Sequence, residues 1–283
     1  MGTPTPTALD KWLVRPLLVA QIVLLALGLD LTLAPALSDR FFSWTIKPPI
    51  TAGVLGAYYL AAFFLLTVAM RGRLWSRVKL ILPGGIAFSM LAIVATFMHL
   101  GKFHLHGAGT FAKVVTWVWI IAYLALPPAL LAPVPAQLKR DREGASVREK
   151  ANMRWSSVGM VTVGAVMVAT GCLLFVSPSI AAPHWAWALT PLTARVLGAW
   201  TLGLGLVFSM AGMKGDSRSA RPAYIGAGLF AVFGISTMLR FFSNVRWEGF
   251  AARVILAFLL STLVVAIGGL NVRTDLARES VEI

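Results

Sequence analysis

Three of the four histidines fall in one short stretch, His99-Leu100-Gly101-Lys102-Phe103-His104-Leu105-His106, with His184 far away in the chain. His-x-His with a third imidazole nearby is a ligand pattern for Zn or Cu, because neutral ring nitrogens suit both ions. Lys102 in their midst opposes a cation, and neither a cysteine nor a Met-rich run accompanies them. Histidines that simply face water at a membrane surface give the same pattern. A Zn or Cu site at His99, His104 and His106 is therefore one expectation, and no other cofactor is implied.

The second chemical signal is charge inside apolar sequence. Asp30, Arg195 and Arg240 each lie within a long apolar run. Ionisable groups at such depth are costly and face a bundle interior, a water-filled cavity or a partner. Lys113 and Arg253 sit close enough to the ends of their runs to snorkel to the surface. With Tyr58 and Trp200 nearby, Arg195, Arg240 and Asp30 define a candidate ligand site with a cationic floor and aromatic walls. Such a site suits a small anionic or lipid-like solute, with Asp30 holding one arginine in place. Trp44, Trp117, Trp119, Trp185, Trp187 and Trp247 read equally well as an interfacial aromatic belt. No phosphate-binding glycine loop, HExxH motif, Ser/His/Asp set or paired carboxylate appears, so no residue is assigned a catalytic role.

These residues need elements to position them, and composition sets which. The chain has 283 residues, 58% hydrophobic and only 13% charged, with a mean hydropathy of +0.79. A soluble domain carries about a quarter charged residues. Long uncharged runs make this an all-α, polytopic integral membrane protein. Eight transmembrane spans are expected, near 17–36, 50–70, 78–100, 111–134, 156–177, 192–213, 221–242 and 250–270. The first lacks a small-residue cleavage site and reads as a span, not a removable signal. Residues 1–10 read as a disordered tail. The single Cys172 excludes an intrachain disulfide.

The net charge of +14 sits mostly in short loops, where it is a topology signal and implies no nucleic acid. Lys11, Arg15, Arg71, Arg73, Arg77, Lys79, the 139–154 cluster, Lys214, Arg218, Arg221, Arg273 and Arg278 share one side. Arg40, Lys47, Lys102, Lys113, Arg195, Arg240, Arg246 and Arg253 share the other, about half as many. Both termini are thus expected in the cytoplasm of a cell membrane, on the pattern of a bacterial inner-membrane protein.

One stretch occurs twice. Thr51-Ala52-Gly53-Val54-Leu55-Gly56-Ala57 returns as Thr193-Ala194-Arg195-Val196-Leu197-Gly198-Ala199, six of seven identical at an offset of 142 residues. Half the chain length separates them, so two parallel four-helix repeats are expected, 1–134 and 156–283, joined by a charged cytoplasmic linker over 135–155. Trp44 and Trp187 precede each copy as headgroup-level rings, and Pro49 and Pro191 suit a first helical turn. Ala52-xxx-Gly56 and Ala194-xxx-Gly198 place small residues one turn apart, the spacing that lets helices approach closely in lipid. Pro83-Gly84-Gly85, Pro127-Pro128 and Gly268-Gly269 mark kinks or broken helices.

The leading expectation is a transporter-like protein whose outward-facing site at the repeat interface binds or moves an anionic or lipidic solute. Two alternatives stand beside it. One is a scaffold or accessory subunit, a homo- or hetero-oligomer packing laterally through the small-residue faces. The other is a metal-dependent membrane enzyme or sensor using the histidines.

Overall fold

The computed structural model describes residues 7–106, 109–143, 154–215 and 218–279. They are helical, with no β-strand among the described residues beyond two isolated bridges. Nine helices carry the architecture: α1 (Lys11–Leu33), α2 (Pro49–Met70), α3 (Leu82–Met98), α4 (Thr110–Leu131), α5 (Val134–Glu143), α6 (Trp155–Val176), α7 (Pro191–Met213), α8 (Arg221–Arg240) and α9 (Phe250–Glu279). Seven of them are long and apolar enough to cross a membrane. The eighth apolar helix, α3, has 17 residues and so measures about 26 Å against a hydrocarbon core of about 30 Å.

Several boundaries differ from the sequence expectation, each for a local reason. Asp10 caps α1 by accepting from the Trp12 amide at 2.8 Å, so the helix begins at Lys11 and runs through Pro16. Residues 7–10 are correspondingly not a tail. The Leu9 amide bonds to Arg73 O at 2.8 Å and the Trp75 amide to Thr7 O at 3.0 Å. Gln137 on α5, fully buried, receives the Asp10 amide at 2.8 Å and donates to Ala8 O at 3.0 Å. Asp10 also pairs with Arg140 at 2.6 Å, and Lys79 with Asp141 at 3.1 Å. These bonds gather the start of α1, the α2–α3 connection and α5 on one face, the clamp face. Thus 134–143 of the expected linker is a helix, and 144–153 lie outside the described residues, as do 1–6.

The expected helix breakers do not break helices. Pro83 lies in the first turn of α3, where its missing N–H is harmless. The α4 helix continues through Pro127 and Pro128, and α9 through Gly268 and Gly269. Those two glycines instead leave room for the rings of Trp155 and Tyr224.

The centre of the bundle is α2 and α7, of whose apolar stretches 67% and 72% are buried, against 17% for α1. The α7 helix packs on α6 and α3, and α2 packs on α1 and α8. The α3–α4, α8–α9 and α6–α9 pairs complete the bundle, while α1 and α4 touch lightly. Small residues make the tight contacts. A Cβ added to Gly171 would lie 2.7 Å from Gly198 O, and one on Gly205 would lie 2.8 Å from Gly164 O. Ala52 and Ala194 are fully buried, Gly56 lies against Leu31 and Thr32, and Gly198 against Gly171 and Phe175. Both small-residue faces are therefore used inside the chain.

Opposite the clamp face lie the tryptophan loops. Trp44 and Trp187, expected at headgroup level, are each only 2% exposed. Trp44 is enclosed by Phe42, Phe103 and Trp119 at ring distances of 4.6, 5.1 and 5.1 Å. Ser43 O holds the two loops together, accepting from the His104 amide at 2.9 Å and from the Thr116 hydroxyl at 3.1 Å.

Enlarging Gly171 to Leu should destabilise the protein by about 3 kcal/mol, since backbone lies on the other side. Gly85→Ala, where an added Cβ meets nothing within 4 Å, should be neutral or slightly stabilising. Thermal unfolding in detergent checks both; equal effects would refute the assignment of Gly171 as a contact point.

Candidate functional site

At the middle of the bundle the third turns of α2 and α7 bring two aromatic pairs together. Tyr58 on α2 donates to or accepts from Thr201 on α7 at 2.8 Å, and Tyr59 shares a 2.8 Å bond with Tyr123 on α4. Trp200 stacks on Phe88 at 3.7 Å and lies 4.7 Å from the Tyr59 ring and 6.0 Å from Tyr58. Tyr58 and Trp200 thus lie in one aromatic floor.

Below that floor, towards the clamp face, α1, α3, α4, α2 and α7 enclose a cavity of about 500 Å³. Its inner end is Trp200, Phe88 and Tyr123. Its outer end is Pro16, Ile81, Leu82 and Leu130, all at helix ends of the clamp face. The wall carries no charged side chain, and the Tyr123 hydroxyl on it is satisfied by Tyr59. Ala122, Ala125 and Ala129 on α4, with Gly85 on α3, make the space by contributing almost no volume. Val19, Val118 and Ile121 line it while 58, 53 and 61% exposed. The cavity therefore opens sideways where α1 and α4 barely meet. Its wall is almost wholly apolar and suits a hydrocarbon, with the Trp200 Nε1 at the inner end the one buried polar group of the lining without a partner among the described residues.

The embedded charges lie elsewhere. Arg195, in the first turns of α7, donates from Nη1 to His99 Nε2 at 2.9 Å, and its Nε is buried without a partner among the described residues. That contact requires a neutral His99 protonated on Nδ1. Burial first, then the Arg195 and Lys102 charges, hold the His99 pKa below its ordinary value. Arg240 is exposed, bonds to Thr32 O at the end of α1 and lies over the Phe241 ring at 5.2 Å. Asp30, half-buried two residues earlier, forms no ion pair with either arginine. Of the five expected ligand residues only Trp200 lines the cavity.

The three clustered histidines are separated by their bonds. His104 has both ring nitrogens engaged, Nδ1 with Phe42 O at 3.0 Å and Nε2 with Thr45 Oγ1 at 3.1 Å. His99 faces Arg195, and His106 is exposed. Among the described residues no three His, Cys, Asp or Glu side chains gather as a ligand set.

Apart from Trp200, sequence reasoning assigned none of the cavity residues to a ligand site. The available signal was the 122/125/129 spacing on α4, a small-residue stripe of the same kind that elsewhere marks helix contact. Comparison with known proteins finds no matching family model, no matching curated protein and no matching solved structure. What the architecture itself defines is a multi-pass helical membrane protein.

Because neutral His99 is the acceptor, its contribution to stability is complete above the ordinary histidine pKa and is lost as pH falls through the lower folded-state value. Arg195→Leu should raise the His99 pKa towards ordinary and flatten the acid side of the stability profile. NMR titration of the ring checks this, and an unmoved pKa would contradict it.

Proposed function

We propose that the chain is a duplicated membrane protein, eight spans in two parallel quartets, in which the first quartet has opened to hold a lipid-like solute. Matched contacts support the duplication. Gly28 lies against Leu60 as Gly171 lies against Leu202, and Gly84 meets Val207 as Gly226 meets Leu65. Phe88 packs on Trp200 as Phe230 packs on Tyr58. His104 N bonds to Ser43 O as Arg246 N bonds to Ala186 O, at 2.9 and 2.8 Å. Every pair repeats at a shift of 142 or 143 residues. The second contact in the list exchanges partners between quartets, so neither quartet buries its central helix alone.

The observation that carries the functional reading is the difference between the quartets. Leu82 and Pro16 line the cavity. Their counterparts by the same shift are Tyr224 and Gly159. Tyr224 lies against Gly269, and Gly159 against Val265, which brings α9 close to α8 and α6. One quartet is filled where the other is hollow. A hollow of about 500 Å³ falls in the range of small-molecule sites, which run from roughly 300 to 1,000 Å³. An apolar cavity opening sideways to hydrocarbon favours a ligand that arrives through the bilayer.

Under this reading both termini are cytoplasmic in the cell membrane, α3 is a span, and the cavity lies in the cytoplasmic half. Lateral docking through Ala52, Gly56, Ala194 and Gly198 would first require their partner helices to leave. A membrane-soluble photoactivatable fatty acid should label peptides covering Pro16–Leu24 and Ala122–Leu130. Label confined to outward residues elsewhere, such as Val176 and Phe250, would refute the reading.

A further inference from the structure

We infer that the occupant is one chain of an anionic membrane lipid, entering between α1 and α4 from the leaflet on the clamp face, with its headgroup held by Arg15. The inference rests on the proposed function of the cavity.

The cavity stripe of α1 does not stop at the cavity. Pro16, Val19, Ala20 and Val23 line it, and Trp12 and Arg15 continue the same face by one turn, four residues before Pro16 and Val19. Trp12 is 59% exposed, and the Arg15 guanidinium lies over its ring at 4.9 Å. An exposed indole with a cation above it is a headgroup-level pair. Arg15 has no acidic partner among the described residues. The nearby acids are taken: Asp10 by Arg140, Asp141 by Lys79 and Glu143 by Lys139. The Lys11 ammonium shares the Trp12 ring at 5.8 Å. Hydrocarbon space thus ends at an unneutralised cation at the depth of phosphate.

Magnitude decides among occupants. A helix is about 10 Å across, so about 500 Å³ holds roughly one turn of it. A span of a partner or of a second copy does not fit. A single flexible chain does. A neutral isoprenoid fits the walls equally well but gains nothing from Arg15, whereas each basic residue near the surface favours an anionic headgroup about fivefold.

The test uses the purified full chain in detergent, with phosphatidylglycerol or phosphatidylcholine of identical chains added, read by thermal unfolding and by native mass spectrometry. Phosphatidylglycerol should stay bound as one molecule per chain and half-saturate at about fivefold lower concentration. Arg15→Gln should lower phosphatidylglycerol affinity about fivefold, to the level of phosphatidylcholine. Ala125→Trp, which fills the cavity, should remove binding of both, and Ala125→Leu should weaken both if the larger ring prevents folding. Retained preference in Arg15→Gln, or equal competition by a neutral polyprenol, overturns the headgroup assignment alone. Lipid binding undiminished in both Ala125 variants overturns the cavity reading with it, as does a lipid-free dimer that dissociates on filling the cavity.

Discussion

Backbone meeting backbone is the constraint on which the rest of this bundle depends. Lipid tails are as apolar as leucine, so the hydrophobic effect does not draw one span to another, and association rests on close van der Waals packing. The α6–α7 pair satisfies this fully: Gly164, Gly171, Gly198, Gly205 and Gly212 all lie against backbone of the facing helix. The α1–α2 pair satisfies it at Gly28 and Gly56 and then diverges, leaving α1 the least buried of the long helices. One side of the molecule is locked along its length. The other has such close contacts only towards its tryptophan-face end, and the cavity lies on that side.

Composition and run length were enough to read the class, because a bilayer tolerates few backbone solutions. The copied stretch was also legible, with Pro49 and Pro191 in first turns, though the Thr190–Thr193 capping box at the start of α7 was not. Thr51 departs from that pattern, its hydroxyl buried without a partner. The tryptophans misled because an indole beside a span has the same sequence signature whether it meets headgroups or a neighbouring loop. Trp44 is buried only because Phe103 and Trp119, 59 and 75 residues later, fold over it. Pro83 misled for a similar reason: hydropathy cannot distinguish a break within a span from the start of one.

The cavity was illegible in principle. A stripe of Ala122, Ala125 and Ala129 looks like a packing face, and whether a partner backbone arrives opposite depends on α1, more than a hundred residues earlier. The charges were legible as unusual but not as a set. Position 195 shows why. Its counterpart by the 142-residue shift is Gly53, which faces Thr237 and Phe241, while Arg195 faces His99, the counterpart of Phe241. A sequence reader sees an arginine replacing a glycine in a copied motif. Only the fold supplies the matching change from phenylalanine to histidine across the contact.

That double change also separates the two chemistries of the molecule. An arginine paired with a carboxylate is neutral overall, but an arginine paired with neutral imidazole keeps its full positive charge. Arg195 stands five residues before Trp200 on α7, about 7.5 Å nearer the tryptophan face. Trp200 is the inner end of the cavity, stacked on Phe88 and flanked by Tyr59. The aromatic layer therefore lies between a cation and a hydrocarbon space. A chain tip pressed against Trp200 has no use for a charge, and an anion near Arg195 has no path through fully packed rings. A solute small enough for one site cannot touch both. The arginine of the copied motif and the hollow beside α1 and α4 are separate features, joined only by the helix that carries them.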